Sequence, residues 1–308
     1  MSPRVCAIVL DFFGADKTKK SVSSLAGQNL ETVYVLDNSG CRTAEERLWR
    51  SMAEIESTGP FRIHILTART NLGFAKGVNF VIAHDLRSEA PHDYYLLLNN
   101  DAVAGPDLVS KMLAEFQRDP SIALVAPRIL CDDPGREFGI WYHRYFGALL
   151  SKPGWGRFHY FTGCCLLFPR RLASAAGIFD ESFFMYGEDV ELGWRLTCQN
   201  MKMVCASAAF VQHDLGPSAL RSSLFYEYHM TRGHLLLSKI TYRHRIELPL
   251  LVVTKIITLS LRVIFRVFRH QAASPAIAWL LVWFPKTWID RCMPFSPREF
   301  VCGASRAD

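Results

Sequence analysis

The stretch LLLNNDAV, residues 96–103, stops a run of large apolar side chains on three polar ones: Asn99, Asn100 and Asp101. The run begins at Tyr94, has no glycine or proline at its end, and is followed by a return to apolar character at Ala102 and Val103. A continuous apolar run of this length suits a strand buried on both faces. Its polar end has two readings. Asn and Asp are common in strand-end turns. Alternatively, Asp101 is placed to meet a divalent cation, since hard ions such as Mg²⁺ or Mn²⁺ take few carboxylates plus phosphate oxygens.

The surrounding pattern favours a strand end that faces a ligand. Val5 to Phe12 is a first apolar strand and TVYVLDNSG a second, ending at Asp37. FRIHILT is a third, DYYLLLNND the fourth and IALVAPRI a fifth. Helix candidates alternate with them: ADKTKKSVSSLAGQN, TAEERLWRSMAEIES, GFAKGVNFVIAHDL and GPDLVSKMLAEFQRD. Such alternation predicts a mostly parallel sheet covered by helices on both faces. Ligands of these sheets bind outside the carboxyl ends of the strands. Asp37 and Asp101 are therefore expected in one crevice.

Beyond the fifth strand the pattern changes. Residues 131–160 are rich in Gly, aromatic and basic residues without a clear period, and are expected as a long loop over the crevice. FTGCCLLFPRRLASAAGIFD reads as strand, turn and helix; GEDVELGWR opens another helix on an acidic pair; MKMVCASAAFVQHDLG gives a last strand or two ending at His213. Glu188 and Asp189 either favour the positive end of that helix or, held beside Phe183, Phe184, Met185 and Tyr186, lose solvation and become basic enough for proton abstraction. A lone His213 is interesting only because a strand would carry it to the same crevice.

The tail from about Leu224 differs again. YEYHMTRGHLLLSKI suits an amphipathic helix, and IELPLLVVTKIITLSLRVIFRVFRH is apolar but interrupted. Its Lys255, Arg262, Arg266 and Arg269 fall on one stripe at 100° per residue. A spanning helix carries few charges, so the stripe is expected to lie on an anionic membrane surface, or to cap an ordinary core or dimer contact. AIAWLLVWFPKTW, with tryptophans that favour interfaces, extends this character. The division expected is an α/β domain over 1–220 and a helical, membrane-surface extension over 221–308.

Composition sets the outer limits. The 308 residues are half hydrophobic, enough for a core, and carry a formal net charge of +6. That suggests an anionic partner rather than nucleic acid, for which no basic reading element is present. Nine cysteines without a C-x-x-C pair suit a reducing cytoplasm. The chain lacks a P-loop spacing, a G-x-G-x-x-G after the first strand and a G-x-S-x-G elbow.

Taken in order, VCAIVLDFFG, YVLDNSG, NLGFAKGVN, YLLLNNDAV, FTGCCLLFPR and FDESFFMYGEDVELGWR, then His213, resemble family-2 glycosyltransferases of the GT-A fold. The resemblance is strongest to the rhamnosyltransferase-like branch and covers about residues 4–216. It implies an α/β fold with a mixed, mostly parallel central sheet flanked by helices. It implies an inverting, metal-dependent transferase acting in cell-surface polysaccharide synthesis. The donor would be a dTDP- or UDP-linked sugar, and the acceptor a saccharide or lipid-linked saccharide.

By the same resemblance Asp37 would contact the donor base, and Asn71, Gly73 and Lys76 would lie near the nucleotide and its phosphates. Asn99, Asn100 and Asp101 would complete the donor site, with Asp101 and His213 as ligands to Mg²⁺ or Mn²⁺. Asp189 would be the catalytic base and Glu188 its neighbour for acceptor binding or orientation; Trp194 and Arg195 would support. Two positions depart from the family pattern: Asn99 stands where an Asp is usual, and Asp11-Phe12-Phe13 follows the first strand where Asn-Tyr-Asn is usual. Localisation is expected to be cytoplasmic, at the inner face of the membrane. The competing expectations are a sugar-phosphate nucleotidyltransferase and a non-catalytic, membrane-associated sugar-binding module.

Overall fold

The computed structural model describes residues 3–57, 59–130, 140–173, 177–213 and 223–284. Two compact units divide the chain, Met1–Gly216 and Pro217–Asp308.

The first unit begins as the alternation predicts. Strands β1 (Val5–Asp11), β2 (Thr32–Asp37), β3 (Arg62–Thr67) and β4 (Tyr94–Leu98) are joined by helices α1 (Ala15–Ser23), α2 (Arg42–Glu56) and α3 (Phe74–Asp85). β2 lies parallel to both β1 and β3, and β1 parallel to β4. Then follow β5 (Ala102–Ala104), α4 (Leu108–Arg118) and β6 (Ile122–Leu130). The period of two sorts the side chains between two cores. Val5, Ala7, Val9, Leu96 and Leu98 enter the core shared with α1, α2 and α4. Cys6, Ile8, Tyr95 and Leu97 enter the one shared with α3. Strands buried on both faces leave only their ends for polar groups.

Residues 140–160 correct the expectation of a long loop. They form β7 (Ile140–His143), β8 (Leu149–Leu150) and β9 (Arg157–Tyr160), an antiparallel three-stranded sheet in the order β8-β7-β9. Alternate burial of Phe158 and Tyr160 is a strand signal of only four residues, too short to stand out among so many aromatics. The rest of the expected loop, 131–139, lies outside the described residues. β10 (Cys165–Pro169) is a strand as expected, but a 3-10 turn, Arg170–Leu172, follows it in place of the start of a helix. Residues 174–176 of that expected helix are not among those described.

The unit closes with α5 (Glu188–Cys198) and the long β11 (Lys202–His213). The eight-stranded sheet has the order β3-β2-β1-β4-β10-β6-β11-β5. β10 runs antiparallel to β4 and β6, β11 parallel to β6, and β5 antiparallel to β11. The sheet is thus mixed and mostly parallel. The carboxyl ends of β1, β2, β4 and β11 share one edge, and β10 begins there.

At the opposite edge the buried Asp85 fastens the strand starts. Its oxygens accept Tyr34 Oη at 3.0 Å, Tyr95 Oη at 2.8 Å and the His92 amide at 3.0 Å, and His92 Nδ1 lies at 2.6 Å. These bonds hold Asp85 down at about 2 in spite of its burial. Cys6 also lies here, its potential ligand atom within 4.8 Å of those of Asp85 and His92. Both carboxylate oxygens are already committed to hydrogen bonds.

The second unit holds α6 (Leu224–Ile240), α7 (Leu248–His270) and α8 (Ser274–Leu281). It reverses the orientation expected for the basic stripe. Lys255 is fully buried, and Arg262 and Arg266 reach the buried Glu227 of α6 at 3.1 and 2.5 Å. Arg269 alone of the four is exposed. The outward face of α7 is apolar, with Leu250, Val253, Ile257, Leu261, Ile264, Phe265 and Phe268 all exposed. A stripe's position on a helix is legible in sequence, but the side that faces a neighbour is not. Glu227, far away in sequence, decides it.

Asp85→Ala should be the most costly substitution at the amino edge of the sheet. It strands several buried donors, each worth about 1–3 kcal/mol when unsatisfied. Urea unfolding should show a loss of about 3 kcal/mol or more, with Asp85→Asn losing less.

Candidate active site

Four sequence-distant segments meet at the carboxyl edge of the sheet. The first is the turn that ends β4. The amide of Asn99 donates to Cys164 O at 2.8 Å, extending the β4–β10 ladder by one step past Leu98–Cys165. The amide of Gly163, next along, donates to Asp189 Oδ2 at 3.2 Å. A single antiparallel strand therefore links the 99–101 turn to the head of α5.

The second segment is β11. Its pairing puts His213 opposite Ala102, and His213 Nε2 lies 3.1 Å from Asp101 Oδ1. Both side chains are partly exposed. This imidazole and carboxylate, held within ligand distance of a common point and open to solvent, suit a divalent cation that keeps positions for phosphate oxygens.

The third segment is the end of β2. Asp37 is fully buried; Oδ1 accepts the Ser39 amide at 2.9 Å, and Oδ2 has no hydrogen-bond partner. A buried carboxylate oxygen without a donor is costly, and suits a ligand that brings an N–H. Asn38 ties this end to the 71–73 loop: its Nδ2 donates to Gly73 O at 3.0 Å and its Oδ1 accepts the Leu72 amide at 2.8 Å. Asn71 closes its own turn on the Gly73 amide at 2.8 Å. Gly73 takes φ +77° and lies so close to Phe184 O that a side chain there would collide with it. Lys76 is exposed on the first turn of α3.

The fourth segment delivers the acidic pair. Tyr186 and Gly187 both take left-handed backbone, φ +66° and +107°, immediately before α5. Such a turn is strained at a tyrosine. The loop before it is clamped from two sides. Asn79 of α3 accepts the amides of Ile178 and Phe179 and donates to Phe179 O at 2.8 Å. Arg195 donates to Ile178 O at 2.5 Å while paired with Glu191. The Phe74 amide adds a bond to Phe184 O at 2.7 Å.

Both carboxyls of the pair are shifted upward. Glu188 is buried, its Oε2 has no partner, and the charge of Asp189 adds to the desolvation. Asp189 lies at the mouth, partly accessible yet ringed by protein. Burial raises it, and the amides of Gly163 and Val190 pull it part of the way back. Both carboxyls therefore keep a proton to higher pH than ordinary carboxylates do.

Asn100 is the expected donor-site residue that turns elsewhere: its side-chain Nδ2 donates to the Thr18 hydroxyl at 3.2 Å. Thr18 in turn donates to the buried Asp11, the residue where the family pattern is broken. Asp11 and Asp37 are register partners on β1 and β2. Sequence reading assigned no part to Asn38, Asn79 or Gly163. Asn79 alone gave a signal, as an Asn on the same helix face as Ala75 and Ile82.

The sequence pattern of Glycosyl transferase family 2 matches residues 8–176, more than half of the chain. The chain belongs to that family. The pattern of Glycosyl transferase family group 2 also matches, over residues 94–296. This glycosyltransferase is 27% identical over 242 residues to galactofuranosyltransferase GlfT1 of Mycobacterium tuberculosis, covering 74% of this chain and 76% of that protein. It is 28% identical over 190 residues to the N-acetylglucosaminyl-diphospho-decaprenol L-rhamnosyltransferase of the same species, covering 52% and 61%. Two solved structures share its fold. One is GalNAc-T7 with UDP, GalNAc and Mn²⁺, at TM-score 0.56 and 13% identity, covering 80% of this chain and 51% of that one. The other is mannosyltransferase PcManGT of Pyrobaculum calidifontis with GDP-Man and Mn²⁺, at TM-score 0.56 and 15% identity, covering 94% and 83%. The GT-A fold expected from the motifs is the fold observed.

The acidic pair of this glycosyltransferase makes a direct prediction. Asp189→Asn removes the charge that opposes ionisation of Glu188, so the Glu188 pKa should fall while staying above the usual carboxylate range of about 4. Carboxyl ¹³C NMR titration of the two proteins measures it; an unchanged Glu188 would mean the two groups do not sense each other.

Proposed function

We propose that the chain transfers a sugar from a nucleoside-diphosphate donor to a saccharide or lipid-linked saccharide, with inversion at the anomeric carbon. The observation that carries this reading is the chain of contacts Asp101–His213, Asn99–Cys164 and Gly163–Asp189, which sets a cation-type donor pair beside a carboxylate of raised basicity. Residues 1–220 are the catalytic domain in this reading. Asp37 receives the donor base through its open Oδ2, with dTDP or UDP as the nucleotide. Asn71, Gly73 and Lys76 lie along the nucleotide and its phosphates, and Asn99 and Asn100 shape the turn beneath them.

Asp101 and His213 would hold Mg²⁺ or Mn²⁺, which would neutralise charge on the departing diphosphate. Asp189 takes the proton of the attacking acceptor hydroxyl. The Gly163 and Val190 amides keep its oxygens aimed, and the proton that the pair retains lets Glu188 donate a hydrogen bond. One base without a protein nucleophile gives a single displacement, hence inversion. The relatives named for galactofuranosyl and rhamnosyl transfer support a cell-surface polysaccharide role, with rhamnose among the donor sugars to test.

The second unit, 221–308 in this reading, seats the enzyme on the cytoplasmic face of the membrane, and the relative named for a decaprenol-linked substrate supports such a location. The seat is the apolar outward face of α7 rather than its basic stripe. Residues Arg245–Arg269 are long and apolar enough to cross a membrane. The ion pairs that bind α7 to α6 favour its lying along the surface, with Arg269 at the rim.

Calorimetry with UDP and dTDP, each with and without Mn²⁺, should show metal-dependent binding that Asp101→Ala abolishes. Binding that ignores both the metal and Asp101 would overturn the donor site. Asp189→Asn should keep donor binding and lose transfer by at least about 10²-fold. The acid limb of the wild-type kcat profile should lie above that of an ordinary aspartate, because the base works only when ionised.

Flotation with phosphatidylglycerol vesicles should recover the wild-type chain at both low and high salt, since apolar seating is not screened. Ile257→Glu with Leu261→Glu should stay in the soluble fraction. Binding lost in salt would return the role to the basic residues. A concentration-dependent dimer that the double variant splits, without vesicle binding, would assign the face to a second copy.

A further inference from the structure

Trp155 is the most exposed tryptophan among the described residues, 73% accessible, and it is held rigidly. Its indole stacks on Tyr145 with ring centres 5.0 Å apart and planes within 4°. His143 meets it edge-on at 5.7 Å. The turn that carries it, residues 151–156 between β8 and β9, is fixed at several points. Arg157 donates to Lys152 O at 2.9 Å and its amide to Gly154 O at 3.2 Å, and the Arg144 amide donates to Gly156 O at 2.9 Å. Gly156 takes φ +68° and packs against His143 and Tyr145. A flexible loop would leave a tryptophan free to fold its ring away; this turn keeps the ring displayed.

The display is tied to the helix that carries the acidic pair. The Arg144 guanidinium lies 4.8 Å from the centre of Tyr145 and 5.8 Å from that of Trp194 on α5. Trp194 also meets Phe158 of β9 at 5.0 Å. From the far end of β9, residues 161–163 run directly to the amide that binds Asp189. At about 3.3 Å per extended residue, Trp155 lies no more than roughly 17 Å from Tyr160. With residues 161–163 added, the outer limit to the amide at Asp189 is roughly 26 Å, a span that an acceptor oligosaccharide can cover.

We propose that Trp155 is a remote saccharide platform that binds sugar units of the acceptor away from the reacting hydroxyl. The proposal rests on the transferase reading above. The chemistry is that of a planar, rigid π face. The C–H-rich face of a pyranose packs on it, and its hydroxyls stay in water or meet the basic rim of Lys152 and Arg157. Rings with a polar face and an apolar face need such a surface; the exposed Phe146, joined to it through His143, adds one more ring, whereas acyl chains need an apolar area much larger than two rings. Binding at a distance from the reacting centre is useful, because energy gained there can orient the acceptor hydroxyl at Asp189.

The test uses the full chain labelled with 5-fluorotryptophan, the Trp155 signal being the one that Trp155→Phe removes. The probes are di-, tetra- and hexasaccharides released by mild acid from the host's own surface polysaccharide. The Trp155 resonance should shift with tetra- and hexasaccharide and much less with disaccharide. Trp155→Ala should weaken hexasaccharide binding about tenfold, with Trp155→Phe in between and Trp155→Leu, apolar but not flat, close to Ala. Metal-dependent UDP or dTDP binding should be the same in all variants. Donor binding without any oligosaccharide effect at Trp155 overturns the platform and spares the transferase reading. Oligosaccharide binding at Trp155 without donor binding does the reverse. A shift produced by phosphatidylglycerol vesicles and by no oligosaccharide assigns the ring to the membrane and overturns the proposal.

Discussion

The hydrogen bond from the Asn99 amide to Cys164 O, 2.8 Å long, carries the pairing of β4 with β10 one residue beyond the end of both strands. It exists because β10 runs antiparallel beside β4, against the direction of β1 to β4. Were β10 parallel, its start would lie at the Asp85 edge and Gly163 could not reach Asp189. The reversed strand brings the polar end of LLLNNDAV to the head of α5. Through β5 and β11 the same turn also receives His213. The chemistry of the site hangs on these two reversals of chain direction, at β10 and at β5.

Unfavourable terms collect at the same edge. A buried carboxylate oxygen without a donor at Asp37, a desolvated Glu188 and left-handed backbone at Tyr186 each raise the energy of the empty fold. They persist because Asn38, Asn79 and Arg195 over-determine the loops around them with buried hydrogen bonds. At the opposite edge, His92 Nε2 is likewise buried without a partner, but the carboxylate there is fully bonded. There Asp85 is saturated with donors, and the network locks the strand starts. The sheet is thus anchored at one end and loaded at the other.

In the second unit, polarity is arranged the other way round from a soluble helix bundle. Glu227 draws two arginines of α7 inward, and the large aliphatic and aromatic residues are left outside. An ion cluster of this kind is a weak source of stability, but it fixes which side of the helix faces its neighbour. The outward face then has the chemistry of a surface meant to be covered.

Local pattern was enough for much of this protein. The apolar runs ending at Asp37 and Asn99 announced buried strands with polar mouths, and alternation with helices implied a parallel sheet whose ligand lies at those mouths. Motif order pointed to the GT-A glycosyltransferase fold. Short-range physics determines the strands and helices, because side-chain period and burial are written into consecutive residues; the name of the fold came from the resemblance of the motifs. What the tertiary structure decided are the pairings between distant segments. Asp101 meets His213, Gly163 meets Asp189, Asn79 pins Ile178, and residues 140–160 become a sheet that displays Trp155. The basic stripe of α7 turned inward for the same reason. A hydrogen bond or ion pair across many residues depends on where the chain returns, and no local period encodes that.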